Sequence, residues 1–147
     1  MDLTTSYPRS VREKLFGVVQ LARTLDKGKA FAEGKNGEYH YNCPMDQHVF
    51  AFLGIDHEAL IDVIKNAKSD ADIEAYVKTF VDKKTPQEIE AFNEDWLAHE
   101  PDNDESRQYF MELRNQIAPD RTDVTTWADI LDLDEKRNVP KRQPVKA

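Results

Sequence analysis

Helix-start signals recur along the whole chain while strand signals are almost absent, and that contrast decides the fold class. The strongest is Thr85-Pro86-Gln87-Glu88. A threonine hydroxyl can accept from the backbone N–H three residues on, and a glutamate there can reach back to the cap. Proline fits the first helical position because its missing N–H would have had no partner there. Ser10-Val11-Arg12-Glu13 has a similar form and is expected to open a helix running to about Ala32. Val11, Leu15, Val18, Ala22 and Leu25 support it, recurring at four- and three-residue spacing. Gly34, Asn36 and Gly37 break that helix, and residues 38–44 read as an extended loop.

Asp46 is expected to cap a short helix over Gln47 to Leu53, closed by Gly54 with Ile55 making the contact of a Schellman ending. Asp56 and Ser69 open the next two helices, and the short break Lys68-Ser69 between them predicts a helical hairpin. A later helix with Phe110, Leu113 and Ile117 ends at Pro119. Thr122 or Asp123 then caps a last one holding Trp127, Ile130 and Leu131. Tyr39-His40-Tyr41 could form a short two-stranded ribbon at most. The expectation is a mainly α fold of about six or seven helices. Residues 1–135 form one domain and 136–147 a basic tail, flexible or docked on the surface.

The length, 147 residues, suits one domain. The net charge of −8 is unevenly spread: residues 1–135 hold 15 basic and 28 acidic side chains. Lys136, Arg137, Lys141, Arg142 and Lys146 follow with no acid among them. Pro86 to Glu105 contains eight acids and no Lys or Arg. A nucleic-acid-binding body carries the opposite sign, because phosphate contacts supply most of its affinity, so nucleic acid is not an expected partner. No apolar run exceeds Val49 to Leu53, far short of the ~20 residues of a membrane span. Residues 1–5 show no secretory pattern. Cys43 is the single cysteine, which leaves no internal disulfide and suits a reducing cytoplasm.

Motifs with known chemistry are missing. There is no phosphate-binding glycine loop and no nucleophile elbow. His57-Glu58 begins like a zincin helix, but Ile61 stands where the second histidine belongs. Asp70-Ala71-Asp72-Ile73-Glu74 starts like a calcium loop, yet Ala75 replaces its glycine and Val81 its last glutamate. His40, Cys43 and His48 lie within nine residues, a spacing that matches no closed zinc module. No metal and no cofactor is expected. A nucleophilic Cys43 needs a lowered pKa and a base in contact, which sequence cannot supply.

The first helix carries the feature of most interest. At about 100° per residue, Asp26 falls about 20° from Leu15, inside the apolar arc. A carboxylate there is costly unless paired. Arg23 is the cation that helical spacing places nearest, and Lys29 reaches from the next turn. Two readings follow. In the structural one, Asp26 sits in a buried ion pair with Arg23 or caps another helix. In the functional one, Arg23 and Lys27 bind an anion that Asp26 helps to orient, with His40, Tyr41 and Cys43 of the loop nearby.

The run Leu15-x-Gly17-x-Val19-x-Leu21-Ala22-Arg23-x-Leu25-Asp26-Lys27, then Phe52-Leu53-Gly54-Ile55-Asp56, Ser69-Asp70, and Thr122-Asp123-Val124-x-Thr126-Trp127, resembles the bacterial domain-of-unknown-function family 5069. The resemblance spans nearly the whole chain and implies a small freestanding bacterial domain; it brings no catalytic residue. The favoured expectation is a cytoplasmic module that binds a small anionic ligand or a protein partner without catalysis. The alternative is a small enzyme or anion site on Arg23, Asp26 and Lys27 with His40 and Cys43.

Overall fold

Where a start signal is satisfied within its own turn, the helix forms as the sequence predicts. Thr85 Oγ1 accepts from Glu88 N at 3.1 Å and Glu88 Oε1 from Thr85 N at 3.0 Å, closing the capping box. The structure, a computed structural model, describes residues 1–142. Among the described residues there are seven α-helices: α1 Leu21–Ala32, α2 Pro44–Leu53, α3 His57–Asn66, α4 Asp70–Val81, α5 Pro86–Leu97, α6 Asp104–Ile117 and α7 Trp127–Asp134. The fold is mainly α. No ribbon forms at residues 39–41, within the limit that the sequence sets, and the one bridge among the described residues joins Leu15 to Val18.

That bridge explains the largest departure from expectation: the first helix starts at Leu21, eleven residues after Ser10. Ser10 opens only a turn, its carbonyl accepting from Glu13 N at 3.1 Å. Phe16 and Gly17 both take positive φ, 52° and 81°, the backbone of a two-residue hairpin turn. Leu15 and Val18 exchange both backbone bonds across it, at 3.1 and 3.0 Å. Asn93, far along the chain, clamps the turn: its Oδ1 accepts from Val19 N at 3.1 Å and its Nδ2 donates to Gly17 O at 2.8 Å. These backbone groups are therefore lost to any helix. The apolar spacing from Val11 to Val18 still places both side chains in the interior, by way of turns.

Two further starts shift. α2 begins at Pro44 with Cys43 as N-cap, so Asp46 is the third helical residue instead of the cap. The last helix is capped by Thr126, whose Oγ1 accepts from Asp129 N at 3.3 Å, and not by Thr122 or Asp123. Gly54 ends α2 in the left-handed conformation (φ 79°), with Ile55 N donating to Phe50 O at 3.0 Å, the bond expected of a Schellman ending. Asp56 caps α3. α3 and α4 pack against each other across the short Lys68-Ser69 break.

The chain groups into two compact units, Met1–Asn93 and Glu94–Ala147. In the first, Leu21, Leu25, Val49, Leu53, Leu60, Ile64, Ile73 and Val77 form the core, with α1 resting on α2 and α3. In the second, Phe110, Val124, Ile130 and Val139 pack together. Val139 brings the basic segment onto α7, where Arg142 grips Asp129 with two bonds of 2.9 Å. Arg121 and the Arg142 backbone N–H hold the Asp123 carboxyl well below the usual carboxylate range. The end of the expected tail, residues 143–147 with Lys146, lies outside the described residues.

Removing the hydroxyl that caps α7 should cost about 1 kcal/mol. Thr126→Ala is therefore expected to lower the urea midpoint, whereas exposed Thr122→Ala should stay within roughly 0.5 kcal/mol of wild type.

Candidate functional site

α1 is buried over nine of its twelve residues, and Arg23, Thr24, Asp26 and Lys27 are among them. A charge in that position must find its partner inside the protein. Asp26 and Lys27 are adjacent and opposite in sign, and they reach in different directions. Each organises its own cluster.

Lys27 Nζ lies 2.8 Å from Asp46 Oδ2 and donates to Cys43 Sγ at 3.2 Å. Asp46 is fully buried. Its Oδ1 accepts from Thr24 Oγ1 at 2.6 Å and from Gln20 Nε2 at 3.1 Å, and its Oδ2 from Cys43 N at 3.4 Å. The last bond is half of the capping box of α2; in the other half Cys43 Sγ accepts from the Asp46 backbone. One carboxylate thus starts α2 and ties it to α1. The Gln20 amide must turn its nitrogen toward Asp46, since its oxygen would face another acceptor. Gln20 Oε1 is left without a hydrogen-bond partner.

Asp26, also buried, takes its partners from before and after it in the chain. Arg9 donates from its backbone N at 2.8 Å and from Nε at 3.1 Å to Oδ2, and from Nη2 at 3.1 Å to Oδ1. Lys29 Nζ stands 3.9 Å from Oδ1 and 3.3 Å from Asp70 Oδ1. Burial works against the Arg9 cation, but the hydrogen bond and charge of Asp26 outweigh it and raise its pKa. The expected Asp26–Arg23 pair is therefore corrected: Arg23 Nη1 donates to the Arg9 carbonyl at 3.2 Å, and its guanidinium lies over the Tyr39 ring. Arg9 occupies the carboxylate because the chain from residue 3 to 9 runs back past α1. Seventeen residues separate the partners, so no helical spacing could reveal them.

The loop residues divide in the same way. Cys43 joins Lys27, as the functional reading expects, but at Asp46 and not at Asp26. Tyr41 turns inward: its hydroxyl donates to the His57 carbonyl at 2.8 Å, and its ring lies between Phe31 and Phe50. Burial, reinforced by the charge of Asp46, raises its pKa. His40 is exposed and takes no part in either cluster. Among the described residues no three His, Cys, Asp or Glu side chains converge as a metal ion would require. No helix among them is long and apolar enough to cross a membrane.

A family model described as Domain of unknown function (DUF5069) matches residues 5–137. The chain belongs to that family. The match spans both clusters, from Arg9 through Asp46 to Asp70. No curated protein matches the chain.

Sequence reasoning missed Arg9, Gln20, Thr24 and the pairing role of Asp46. Only Asp46 left a local signal, standing third after a Cys43-Pro44 start, where an acid completes a capping box.

Two outcomes are expected. Lys27→Ala strands a buried carboxylate and should cost about 3–5 kcal/mol, while Lys27→Met combined with Asp46→Asn, which removes the charge and keeps an acceptor oxygen for Thr24 and Gln20, should recover part of that loss; urea denaturation measures both. Tyr41 has a folded pKa above its unfolded value of about 10. Its contribution is then complete below about pH 10 and is lost as pH rises through the folded pKa. The alkaline fall in stability should be shallower in Tyr41→Phe than in wild type.

Proposed function

We propose that the protein is a binding module for a small anion, without chemistry of its own, and that the ligand sits between α1, α3 and the start of α4. One observation carries this reading. A surface cavity of about 360 Å³ there is lined by Lys29, Lys65, Lys68 and Ser69, with Ile64 and Ile73 among its apolar residues. Lys65 and Lys68 have no ion-pair partner among the described residues. The acids on the rim are both occupied, Glu33 by the Met1 ammonium at 3.4 Å and Asp70 by Lys29 at 3.3 Å. A concavity that gathers cations in a chain of net charge −8 raises the local concentration of anions. This site is centred on Lys29, two residues along α1 from the Lys27 that the sequence suggests, because Lys27 is consumed by Asp46 and Lys29 is not wholly consumed by Asp26.

Binding without reaction is supported by the same accounting: the buried charges Asp26, Lys27 and Asp46 all serve helix packing. The single half-buried thiol suits a reducing compartment such as the cytoplasm. A second reading, thiol chemistry at Cys43, draws on the 3.2 Å approach of Lys27 Nζ. Alkylating Cys43 separates the two, since it should leave anion binding unchanged.

The test is thermal unfolding with inorganic phosphate, sulfate and small dicarboxylates. A ligand at a hundred times its Kd adds about 2.7 kcal/mol, which raises Tm by roughly 5–10 °C in a chain of this size. The double substitution Lys65→Gln, Lys68→Gln should abolish the shift without lowering the ligand-free Tm. A shift retained in full by that variant, or no shift with any anion, defeats the proposal.

A further inference from the structure

We infer that the anion cavity and the N-terminal segment, residues 3–9, are coupled through Lys29, so that filling the cavity tightens the segment onto α1. The inference rests on the anion-binding reading above and adds its regulation. Its basis is an unbroken row of charges: Asp70, Lys29, Asp26, Arg9. Lys29 lines the cavity and stands 3.3 Å from Asp70 and 3.9 Å from Asp26. Asp26 in turn holds Arg9 by the three bonds already described, one of them from the Arg9 backbone.

The sign of the coupling follows from how Asp26 shares its oxygens. Oδ2 belongs to Arg9 alone, whereas Oδ1 is divided between Arg9 Nη2 at 3.1 Å and Lys29 at 3.9 Å. Two cations on one buried carboxylate repel each other and compete for the same lone pairs, so each weakens the hold of the other. An anion in the cavity draws Lys29 toward itself and leaves Asp26 to Arg9. The Arg9 bonds then strengthen, and the segment preceding Arg9 is held more firmly.

That segment is itself one wall of a second concavity, of about 680 Å³, formed by residues 3–7 facing Gly37, Glu38 and Tyr39. Its seat is narrow: a Cβ on Gly37 would stand 2.9 Å from the Leu3 carbonyl oxygen, at a φ of 56°. Leu3 N also donates to Lys35 O at 2.9 Å. The segment is thus held at Leu3 and at Arg9, with the Met1 ammonium on Glu33 ahead of it, and Arg9 is the attachment within the segment that Lys29 can adjust. Linkage requires the effect to run both ways: a firmly seated Arg9 must favour the anion.

Hydrogen exchange of the Arg9 amide reports the first direction and calorimetric titration with inorganic phosphate the second. In the wild type, saturating phosphate should slow exchange at Arg9. In Lys29→Gln, at phosphate levels shown by calorimetry to saturate the remaining lysines, exchange should not change. Arg9→Ala should weaken phosphate binding by about fivefold or more, the lower range of measured coupling, because Lys29 is then drawn to Asp26. Asp70→Asn, at an exposed site that keeps the fold intact, should strengthen phosphate binding and enlarge the exchange effect. Phosphate that binds without slowing Arg9 exchange overturns the coupling and leaves the anion site standing. Slowing that persists in Lys29→Gln overturns Lys29 as the link. No phosphate binding at all overturns the anion site, and the coupling with it.

Discussion

A helix buried on nearly every side cannot send its charges to water, and α1 carries two of them side by side. Asp26 and Lys27 are adjacent, opposite in sign and withdrawn from solvent, yet their side chains leave the helix in different directions and do not neutralise each other. Each requires a partner from elsewhere in the chain. Lys27 finds Asp46 and in doing so seats the first turn of α2; Asp26 finds Arg9 and fixes the segment that leads into α1. The apolar packing of Leu21, Leu25, Val49 and Leu60 supplies the larger share of burial energy. The charges decide which arrangement of those side chains is allowed. An arrangement that left either charge unpaired would forfeit several kcal/mol.

The same need for partners accounts for how the candidate cluster around Lys27 is built. Asp46 accepts from Thr24, Gln20, Lys27 and the Cys43 backbone, so its oxygens are occupied by groups of its own fold. Lys27 is committed in the same way. Lys29, two residues further on, leaves the helix about 200° away from Lys27. It is partly exposed, shares two acids at longer range, and lines a cavity with two lysines that have no ion-pair partner. Under the proposed function the binding role falls to Lys29 with Lys65 and Lys68, because the acids that face Lys29 stand at 3.3 and 3.9 Å and leave an incoming anion less to displace than the 2.8 Å pair of Lys27 and Asp46.

How far the sequence could be read depended on how far apart the interacting groups are. The Thr85 box, the Asp56 cap and the Gly54 ending each close within six residues, and the structure bears them out. Ser10 opens no helix for a reason far along the chain: Asn93, 76 and 74 residues from its partners, takes the Gly17 carbonyl and the Val19 N–H and holds Phe16-Gly17 in a tight turn. The burial of Asp26 was legible although the helix through Leu15 was not, because Ala22 and Leu25 alone define the inward face near it. Its partner was not legible. Arg23 is close along the helix, but Arg9 can also supply a backbone N–H from an extended segment, which a side chain on the same helix cannot.

The sequence by itself determined that the chain is mainly helical, where most helices stop, that one aspartate on the first helix is buried, and that no familiar catalytic motif is present. Those properties follow from side-chain periodicity and from hydrogen bonds spanning three to five residues, which neighbouring residue types dictate. Only the tertiary structure decided which cation meets which carboxylate, that Cys43 and not Asp46 caps α2, and which lysines share a cavity. These depend on the path of the backbone between distant residues. A buried charge states that it needs a partner, but any of several opposite charges would satisfy it until the chain is folded around it.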